Sequence, residues 1–384
     1  MLYEAKFKLE AITPIYMRGA NQNKVEIRAP SIKGLMRWWF RALAGNYFGG
    51  NINELKNAES FVFGSTEKKS RVYITVHENF GQKPEPLIYG IRYDERRKLK
   101  PNYHRDSYVA KLSYLLFSVK FQANDLFRYI GNEKRWRAID IEKELKKENI
   151  FFYPPGTSFS IEIRSWDEKA FNLALISFWA LVSLGGVGFR NRRGAGSLKF
   201  IDGDLKKLHS IELETDFTNE NNFKRSVEKS IEMLGNYLPQ PRNIIGNLTP
   251  QKYPILNPNT SYVGVIDFKL NNPTPLDCLY NFQSEYQRFR RDRNNFLRRV
   301  VFGLPIIKSN IRGYDLKSKR RGSPMLVGVI YIADKPYVRV VKFKTDPYYK
   351  YRNDPVNSIA DWKALRDFNK KFREIQIFGN LGVF

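Results

Sequence analysis

The sequence predicts an α+β fold with two tandem ferredoxin-like (RRM-like, βαββαβ) domains, the first of which carries an insertion. Segments in which apolar and polar residues alternate, typical of half-buried strands, are separated by longer segments with helical spacing. Their order along the first half is β-α-β-β-α-β, and the second half repeats it. The length of 384 residues is also typical of two domains. Each half is therefore expected to form an antiparallel sheet covered by two helices.

The elements of the first half follow from this spacing. In the opening strand every second residue from Tyr3 to Ala11 is apolar, and the residues between them are charged. Ser31 and Asp167 have side chains that cap helix N-termini. We predict strands at 3–11, 72–76, 159–163 and 197–201, a helix from Ser31 to about Gly45, and a buried helix from Asp167 to about Leu184.

The second half repeats the pattern. Two of its strands flank Ala333, Asp334, Lys335 and Pro336, which predicts a hairpin. We predict strands at 262–270, 326–332, 337–343 and 375–383, and helices at 277–302 and 361–373. The domains are then 1–202, with an insertion at about 80–150, and 261–384. The connector, 203–260, has a charged helix near 222–234 and a stretch rich in proline and asparagine, so it is expected to add little to a core.

The net charge is the most unusual property of the composition. Lysine and arginine number 65 against 39 aspartates and glutamates, which gives +26 at neutral pH. A charge of this size repels itself and weakens the compact state, and a polyanionic partner is its usual reason. The chain is therefore expected to bind nucleic acid. A generally basic surface is the alternative interpretation.

The composition also argues against several other classes of protein. Cys278 is the only cysteine, so neither an intrachain disulfide nor a cysteine-based zinc site can form, and a reducing cytoplasm is the expected location. The N-terminus alternates apolar and charged residues, unlike a signal peptide. The longest apolar run, 171–184, is shorter than the roughly 20 residues that span a bilayer. We expect no membrane partner, no metal site and no cofactor.

The first candidate binding site is the segment 185–196, hereafter the glycine–arginine loop. Its glycines allow backbone amides to approach a phosphate, and its arginines supply charge and forked donors. It lacks the Lys-Ser/Thr pair of a P-loop, and it follows a helix and enters a strand, unlike a dinucleotide-binding loop. A glycine-capped helix end is the alternative. The candidate RNA-binding residues are Gly186, Gly188, Arg190, Arg192 and Arg193.

Further basic candidates surround the first predicted helix and the long helix of the second half. Lys33, Arg37 and Arg41 are spaced by four, so they share one helix face. The helix N-terminus, with Gly34 in its first turn, is suited to bind an anion, although a solvated helix face is the alternative. The remaining candidates are Arg18, Lys24 and Arg28 before this helix, Arg291 and Arg298 in the long helix, and Lys319, Arg320 and Arg321 before the strand that follows.

Aromatic side chains are interleaved with these cations. Phe189, Tyr103 and Tyr314 are examples. Bases stack on such rings, and each stacked base contributes about 1–3 kcal/mol. Most aromatic residues must nonetheless belong to the cores.

Signals of catalysis are weak. The only histidines are His77, His104 and His209, and no metalloprotease, paired-aspartate or nucleophile-elbow motif is present. One alternative stays open: a metal-independent ribonuclease in which His104 acts with a tyrosine and an arginine as proton shuttles.

Five motifs in order resemble the RAMP superfamily of CRISPR-associated proteins, and in particular the first RAMP subunit of the type III-B (Cmr) effector complex. The glycine-rich loop alone is typical of the whole superfamily, whereas the set and its spacing are more specific. The motifs are IRAPSIKGLMRWWFRAL at 27–43, ExxVFGS at 59–65, GGVGFRNRRGAGSL at 185–198, FGLPI at 302–306 and RRGSPM at 320–325.

This resemblance implies a non-catalytic RNA-binding subunit that binds the 3′ region of guide (CRISPR) RNA, target RNA or both, together with other Cmr subunits. It also implies two ferredoxin-like domains, in agreement with the elements above. RNA cleavage then belongs to a neighbouring subunit. The alternative is a metal-independent RAMP endoribonuclease that matures guide RNA. Because phosphates dominate such binding, affinity is expected to fall steeply with salt.

Overall fold

The structure, a computed structural model, shows a mixed α+β protein with antiparallel sheets, which confirms the predicted α+β class. It describes residues 1–384 except for 22–23, 78–80, 94–98, 104–107, 117–118, 120–123, 125–142, 144–148, 240, 242–245, 247, 293–297, 304–320, 349–352, 356 and 358–359.

The described part of the chain contains the predicted strands and helices, with some differences at their ends, and further strands and helices that were not predicted. The strands are β1 (Tyr3–Ala11), β2 (Val72–His77), β3 (Glu85–Pro86), β4 (Gly90–Tyr93), β5 (Leu99–Asn102), β6 (Phe151–Phe152), β7 (Ser158–Ser165), β8 (Leu198–Gly203), β9 (Ser261–Ile266), β10 (Met325–Ile332), β11 (Lys335–Phe343) and β12 (Glu374–Gly379). The helices are α1 (Ala29–Ala44), α2 (Ile52–Phe63), α3 (Tyr108–Lys111), α4 (Glu168–Leu184), α5 (Leu205–His209), α6 (Glu220–Tyr237), α7 (Pro275–Arg291) and α8 (Lys363–Asn369). Short 3₁₀ turns lie at Gly45–Tyr47, Arg298–Phe302 and Leu381–Val383.

The first sheet has the spatial order β2-β7-β1-β8, and all its pairings are antiparallel. The predicted alternation is present in β1, where Phe7 and Leu9 are fully buried and Lys6 and Lys8 are exposed. Because side chains alternate between the two faces of a strand, one face of this sheet is apolar and the other is charged. We call this sheet with α1, α2 and α4 the first unit.

The second sheet repeats this arrangement with the order β10-β11-β9-β12. The predicted hairpin is confirmed: Ile332 pairs with Lys335, and the two residues of the turn, Ala333 and Asp334, have positive φ angles of 48° and 57°. Positive φ at both turn positions matches the twist of the flanking strands. We call this sheet with α7 and α8 the second unit.

Helices α1, α4 and α6 lie between the two sheets, while α7 and α8 cover the far face of the second sheet. Neighbouring residues of β11 show this: Val340 belongs to the apolar cluster with α7 and α8, and Val341 belongs to the cluster with α1, α4 and α6. The second sheet is therefore buried on both faces, which explains its nearly continuous apolar strands.

Helix α4 is the centre of the shared core. Asp167 caps it as predicted, since its side chain accepts a hydrogen bond from the backbone amide of Ala170 at 2.9 Å. The residues from Phe171 to Leu184 are buried with the single exception of Asn172, because other elements cover the helix on several sides. The prediction of a buried helix is thus confirmed.

Helices α2 and α7 differ most from the sequence prediction. Helix α7 ends at Arg291 rather than near 302, and three arginines in its last turn complement the negative end of the helix dipole. Helix α2 was not predicted, although Asn51 caps it through hydrogen bonds from Asn53 and Glu54 at 3.2 Å and Gly64 ends it with a φ of 79°. In both cases residues typical of a helix end are present in the sequence. The mixed composition of α2 and the arginine-rich composition of α7 concealed them.

The connector contributes to the core, contrary to the expectation that it adds little. Phe223, Val227 and Leu234 of α6 are fully buried, and α6 packs against α4 and β12. A charged helix with one apolar stripe buries that stripe, so its overall composition was a poor guide to its packing.

Described residues of the predicted insertion pack on the second unit. Leu112, Leu115 and Leu116 are buried in the same cluster as α7. The side chain of Gln283 accepts hydrogen bonds from the backbone amides of Tyr114 and Leu115 at 2.9 and 3.0 Å. The described part of the insertion therefore bridges the two units.

Candidate nucleic-acid interface

A cavity of about 520 Å³ lies where the glycine–arginine loop meets the first turns of α1 and the loop that precedes it. We call it the loop cavity. Its walls combine apolar side chains with a guanidinium group, and its volume suits a small ligand such as a nucleotide. The lining residues are Tyr16, Met17, Arg18, Ser31, Gly34, Leu35, Val119, Gly188 and Phe189.

The glycines of the loop allow close packing of the loop against its own chain. Gly188 has a φ of 77°, and a Cβ there would lie 2.6 Å from the carbonyl oxygen of Tyr16. A Cβ on Gly196 would lie 1.8 Å from the carbonyl oxygen of Val187. Because only glycine fits such contacts, these two residues shape the loop, a role that the sequence did not predict.

The first turn of α1 borders the cavity. The helix begins at Ala29 after Arg28 and has no side-chain cap, so the prediction that Ser31 caps it is wrong. Pro30 fixes the backbone of the first turn instead, because its ring holds φ near the helical value. Ser31 and Gly34 are thereby left to line the loop cavity.

The three cations before α1 have different environments. Arg18 lines the loop cavity and pairs through its backbone with Val25, and burial lowers its pKa. Lys24 is exposed. Arg28 forms an ion pair with Glu26, with 3.1 Å between Nε and Oε1. Arg18 is thus the member of this group that the structure places at the cavity.

Phe189 and Arg190 form the tip of the glycine–arginine loop. Phe189 is 45% exposed. The guanidinium of Arg190 lies 5.6 Å from the centre of that ring. Burial, and to a lesser extent the charge of Arg193, lowers the pKa of Arg190 to about 10. An anion close to Arg190 would relieve this effect.

Arg192 and Arg193 join the loop to the second unit. Arg192 donates a hydrogen bond to the carbonyl of Ser323 at 3.0 Å. Arg193 donates to the hydroxyl of Tyr286 at 2.6 Å and to the carbonyl of Phe302 at 2.8 Å. The backbone next to them pairs with Val327, so the loop extends the edge of the second sheet at β10. Contact of these two arginines with RNA stays a prediction.

Lys33, Arg37 and Arg41 lie along one side of α1, as their spacing predicts. Arg37 and Arg41 both donate to Oε1 of Glu59 on α2, at 2.5 and 2.8 Å. Burial and the charge of Arg37 lower the pKa of Lys33. The structure therefore brings these three cations together, but at a site other than the loop cavity.

The second-unit candidates that the structure describes do not line the loop cavity. Arg298 forms ion pairs with Asp361, at 2.8 Å, and with Asp367. Arg321 lies over the ring of Tyr348, with 4.3 Å from guanidinium carbon to ring centre, and burial lowers its pKa. Arg291 is exposed at the end of α7. The other two candidates, Lys319 and Arg320, lie outside the described residues.

The two described histidines, His77 and His209, have different partners. His77 lies 2.9 Å from the carboxylate of Glu162 on the first sheet, and His209 lies 3.8 Å from that of Glu214. His104, the residue of the ribonuclease alternative, lies outside the described residues. Within the described ranges no group of three or more histidine, cysteine, aspartate or glutamate side chains is arranged to hold a metal ion. In the same ranges no helix is both long enough and apolar enough to cross a membrane.

Comparisons with known proteins identify the family. The RAMP superfamily model matches residues 8–199, and the model of the Cmr1-like C-terminal region matches 266–376. The chain is 33% identical over 372 residues to the CRISPR system Cmr subunit Cmr1-1 of Pyrococcus furiosus, covering 96% of this chain and 95% of that protein. This chain belongs to the Cmr1 family of RAMP proteins. The resemblance inferred from the sequence motifs is thereby confirmed.

Two solved structures share the fold of this chain. The crystal structure of Cmr1 from Pyrococcus furiosus in its apo form matches with a TM-score of 0.65 and 29% identity, covering 98% of this chain and 99% of that one. A chain of the type III-B Cmr-beta complex bound to cognate target RNA matches with a TM-score of 0.59 and 17% identity, covering 95% and 99%. A second Pyrococcus furiosus relative, Cmr1-2, is 40% identical over 198 residues, which are 52% of this chain and 95% of that protein.

Proposed function

We propose that this Cmr1-family chain is a non-catalytic RNA-binding subunit of a type III-B CRISPR complex. In this proposal it contacts the 3′ region of guide RNA, target RNA or both, and it assembles with other Cmr subunits in the cytoplasm. Guide–target pairing reads the sequence, while the protein supplies contacts to phosphates and to the faces of bases.

The loop cavity is the observation that carries the proposal. An exposed aromatic ring, Phe189, stands beside Arg18 and the first turn of α1, which has no side-chain cap. An aromatic face stacks on a base of any identity, and helix N-terminal amides and a guanidinium attract a phosphate. This combination suits a single-stranded nucleic acid, and the net charge of +26 supports a polyanionic partner.

The relatives support the same proposal. The curated relative that this chain matches nearly end to end is named as a subunit of a CRISPR Cmr system. One structure with the same fold is that of a type III-B complex bound to cognate target RNA.

We also propose that each unit is a ferredoxin-like domain and that 80–150 is an insertion in the first. In both sheets the spatial order of strands is second, third, first, fourth along the chain, and a helix follows the first and the third strand. We keep 1–202, 203–260 and 261–384 as the proposed division into first domain, connector and second domain. The deep packing of α6 makes the connector part of the interface between the two domains.

Binding of a fluorescent single-stranded RNA tests the function. The variant Phe189→Ala removes a ring that is 45% exposed, so it should fold normally but lose one stacked base. We expect an affinity about tenfold weaker, within the range of about 1–3 kcal/mol per stacked base. Fluorescence anisotropy on the full chain at fixed salt measures this. The control is Tyr280→Ala, since Tyr280 is 48% exposed and lines neither the loop cavity nor the surface around Lys33, Arg37 and Arg41. Equal affinity of the two variants would contradict a role for the loop cavity.

The alternative function, a metal-independent endoribonuclease, has its own test. Repeat RNA is incubated with the purified chain without metal ions. Discrete cleavage that the variant His104→Ala abolishes would overturn the non-catalytic assignment. Intact RNA after long incubation is the expected result.

A further inference from the structure

A groove of about 1010 Å³ lies between α1, α2 and the turn that joins α2 to β2. We call it the lysine groove, because seven lysines and arginines line it against one carboxylate, Glu59. We propose that the lysine groove binds the phosphate backbone of single-stranded RNA as a second contact, separate from the loop cavity. This inference rests on the proposed function and extends it to a site that includes residues of α2, the following turn and the connector.

The single carboxylate does not neutralise the groove. Glu59 is only 5% exposed, and its Oε1 binds both Arg37 and Arg41. A buried carboxylate that holds two guanidinium groups fixes their positions and leaves a net positive charge on the surface. Glu59 is therefore a positioning residue for Arg37 and Arg41.

The lysines have no carboxylate partner within the described part of the chain. This holds for Lys33 of α1, Lys56 of α2, Lys68 of the turn and Lys252 of the connector. The last three are exposed. The lowered pKa of Lys33, caused by burial and then by Arg37, agrees with a positive field that lacks counter-charges. A surface of this kind attracts a polyanion and releases its counterions.

The turn between α2 and β2 is held in one shape. Gly64 has a φ of 79°, and a Cβ there would lie 2.7 Å from the carbonyl oxygen of Lys68. The hydroxyl oxygen of Ser65 accepts hydrogen bonds from the amides of Glu67 and Lys68 at 3.2 and 3.1 Å. Lys68 is thus presented to the groove on a fixed backbone, which lowers the entropic cost of binding.

The position of the groove favours RNA over other anions. Its cations come from the two helices α1 and α2, the turn after α2 and the connector, so they suit a ligand with repeated charges rather than one phosphate ion. Lys33 lines the groove, and the next residue, Gly34, lines the loop cavity. Neighbouring Cα atoms are about 3.8 Å apart, so one strand of RNA that leaves the loop cavity can enter the groove.

Charge reversal of the three exposed lysines tests the inference on the full chain. The variant is Lys56→Glu/Lys68→Glu/Lys252→Glu. The matched control is Lys169→Glu/Lys206→Glu/Lys224→Glu, which makes the same change of charge at exposed lysines that line neither site. Circular dichroism checks that both variants fold, and Lys→Gln at the same three positions replaces the Glu variant if it does not. Anisotropy of a fluorescent single-stranded RNA is measured between about 50 and 200 mM salt.

We expect the groove variant to bind RNA at least about tenfold more weakly than the natural chain. The slope of log affinity against log salt should become shallower by about 2, because three phosphate contacts are lost and each contact to a single strand contributes about 0.7. The control should bind within about threefold of the natural chain with an unchanged slope.

If the groove variant matches the control while Phe189→Ala still weakens binding, the inference is wrong and the proposed function stands. If the natural chain does not bind RNA, the proposed function fails as well. Competition by polyglutamate as strong as by RNA of equal charge would overturn the assignment to RNA.

Discussion

At the residue scale, Arg193 shows that a cation in a glycine-rich loop can hold a protein together. Its guanidinium donates hydrogen bonds to Tyr286 and Phe302 of the second unit and lies 5.2 Å from the centre of the Tyr286 ring. A combined alanine substitution of Arg190, Arg192 and Arg193 would therefore disturb the interface between the two units as well as any RNA contact. Phe189 and Arg18 are the better probes of the loop cavity.

We predict that Arg193→Met lowers the free energy of unfolding by about 1–3 kcal/mol. The change removes the hydrogen bond from Arg193 to the Phe302 carbonyl and the shorter of the two hydrogen bonds that the Tyr286 hydroxyl accepts, the other coming from Arg290 at 3.3 Å. Urea unfolding followed by circular dichroism measures this. Arg225→Met is the control, since Arg225 is exposed and forms a surface ion pair with Glu212; it should change stability by less than about 0.5 kcal/mol. A similarly small decrease in the free energy of unfolding for Arg193→Met would show that the interface between the units does not depend on this side chain.

At the element scale, the strands β11 and β12 enclose a polar pair inside the second sheet. Lys342 is fully buried, and its Nζ donates to the carbonyl of Leu365 at 3.3 Å. Burial lowers the pKa of Lys342 to about 8. Burial also raises the pKa of Glu374 to about 7, an effect that Lys342 and Tyr262 partly offset. Both groups therefore change charge close to neutral pH.

This pair predicts a dependence of stability on pH. A carboxyl group whose pKa is raised on folding binds its proton more tightly in the folded state, so its contribution to stability is complete below its ordinary pKa of 4.5 and is lost as pH rises towards 7. Between these values we expect a slope of about 1.4 kcal/mol per pH unit. Glu374→Gln should remove this slope in urea unfolding at pH 4.5–7, relative to the exposed control Glu228→Gln. Parallel profiles for the two variants would show that Glu374 titrates normally.

At the scale of the whole molecule, the two units share one core. The first-unit helices α1 and α4 belong to the same apolar cluster as Val341 and Phe343 of the second sheet. Phe343 contacts Trp38 and Trp39, with ring centres 5.5 and 6.3 Å away. Arg339 of the same strand donates to the carbonyls of Ser183, at 2.6 Å, and Gly185 at the end of α4. The glycine–arginine loop therefore begins at a point fixed by the second unit.

We predict that Phe343→Ala destabilises both units together. Removal of a buried aromatic ring costs about 3–5 kcal/mol, and because the core is continuous, tryptophan fluorescence and calorimetry should report one shared transition at a lower temperature. The control is Phe372→Ala, a half-buried ring at the end of the second unit, which should cost less. Two separate transitions, with only one of them shifted, would contradict a shared core.

Much of the architecture could be predicted from the sequence because its signals are local. The alternation in β1, the cap of α4 by Asp167 and the hairpin at Ala333 and Asp334 depend on a few neighbouring residues. Helix α2 and the end of α7 were missed because their signals were masked by mixed or arginine-rich composition. The packing of α6 could not be predicted, because its partners are distant in sequence.

The sequence by itself determined the positive charge, the α+β class, the family motifs and the place of the glycine–arginine loop after a helix and before a strand. Only the tertiary structure decided the use of each cation. It directed Arg192 and Arg193 towards the second unit, paired Arg37 and Arg41 with Glu59, and placed Lys68 and Lys252 in the lining of one groove. Charge and residue type are properties of the chain, whereas a partner or a counter-charge depends on which distant residues the fold brings within a few ångströms.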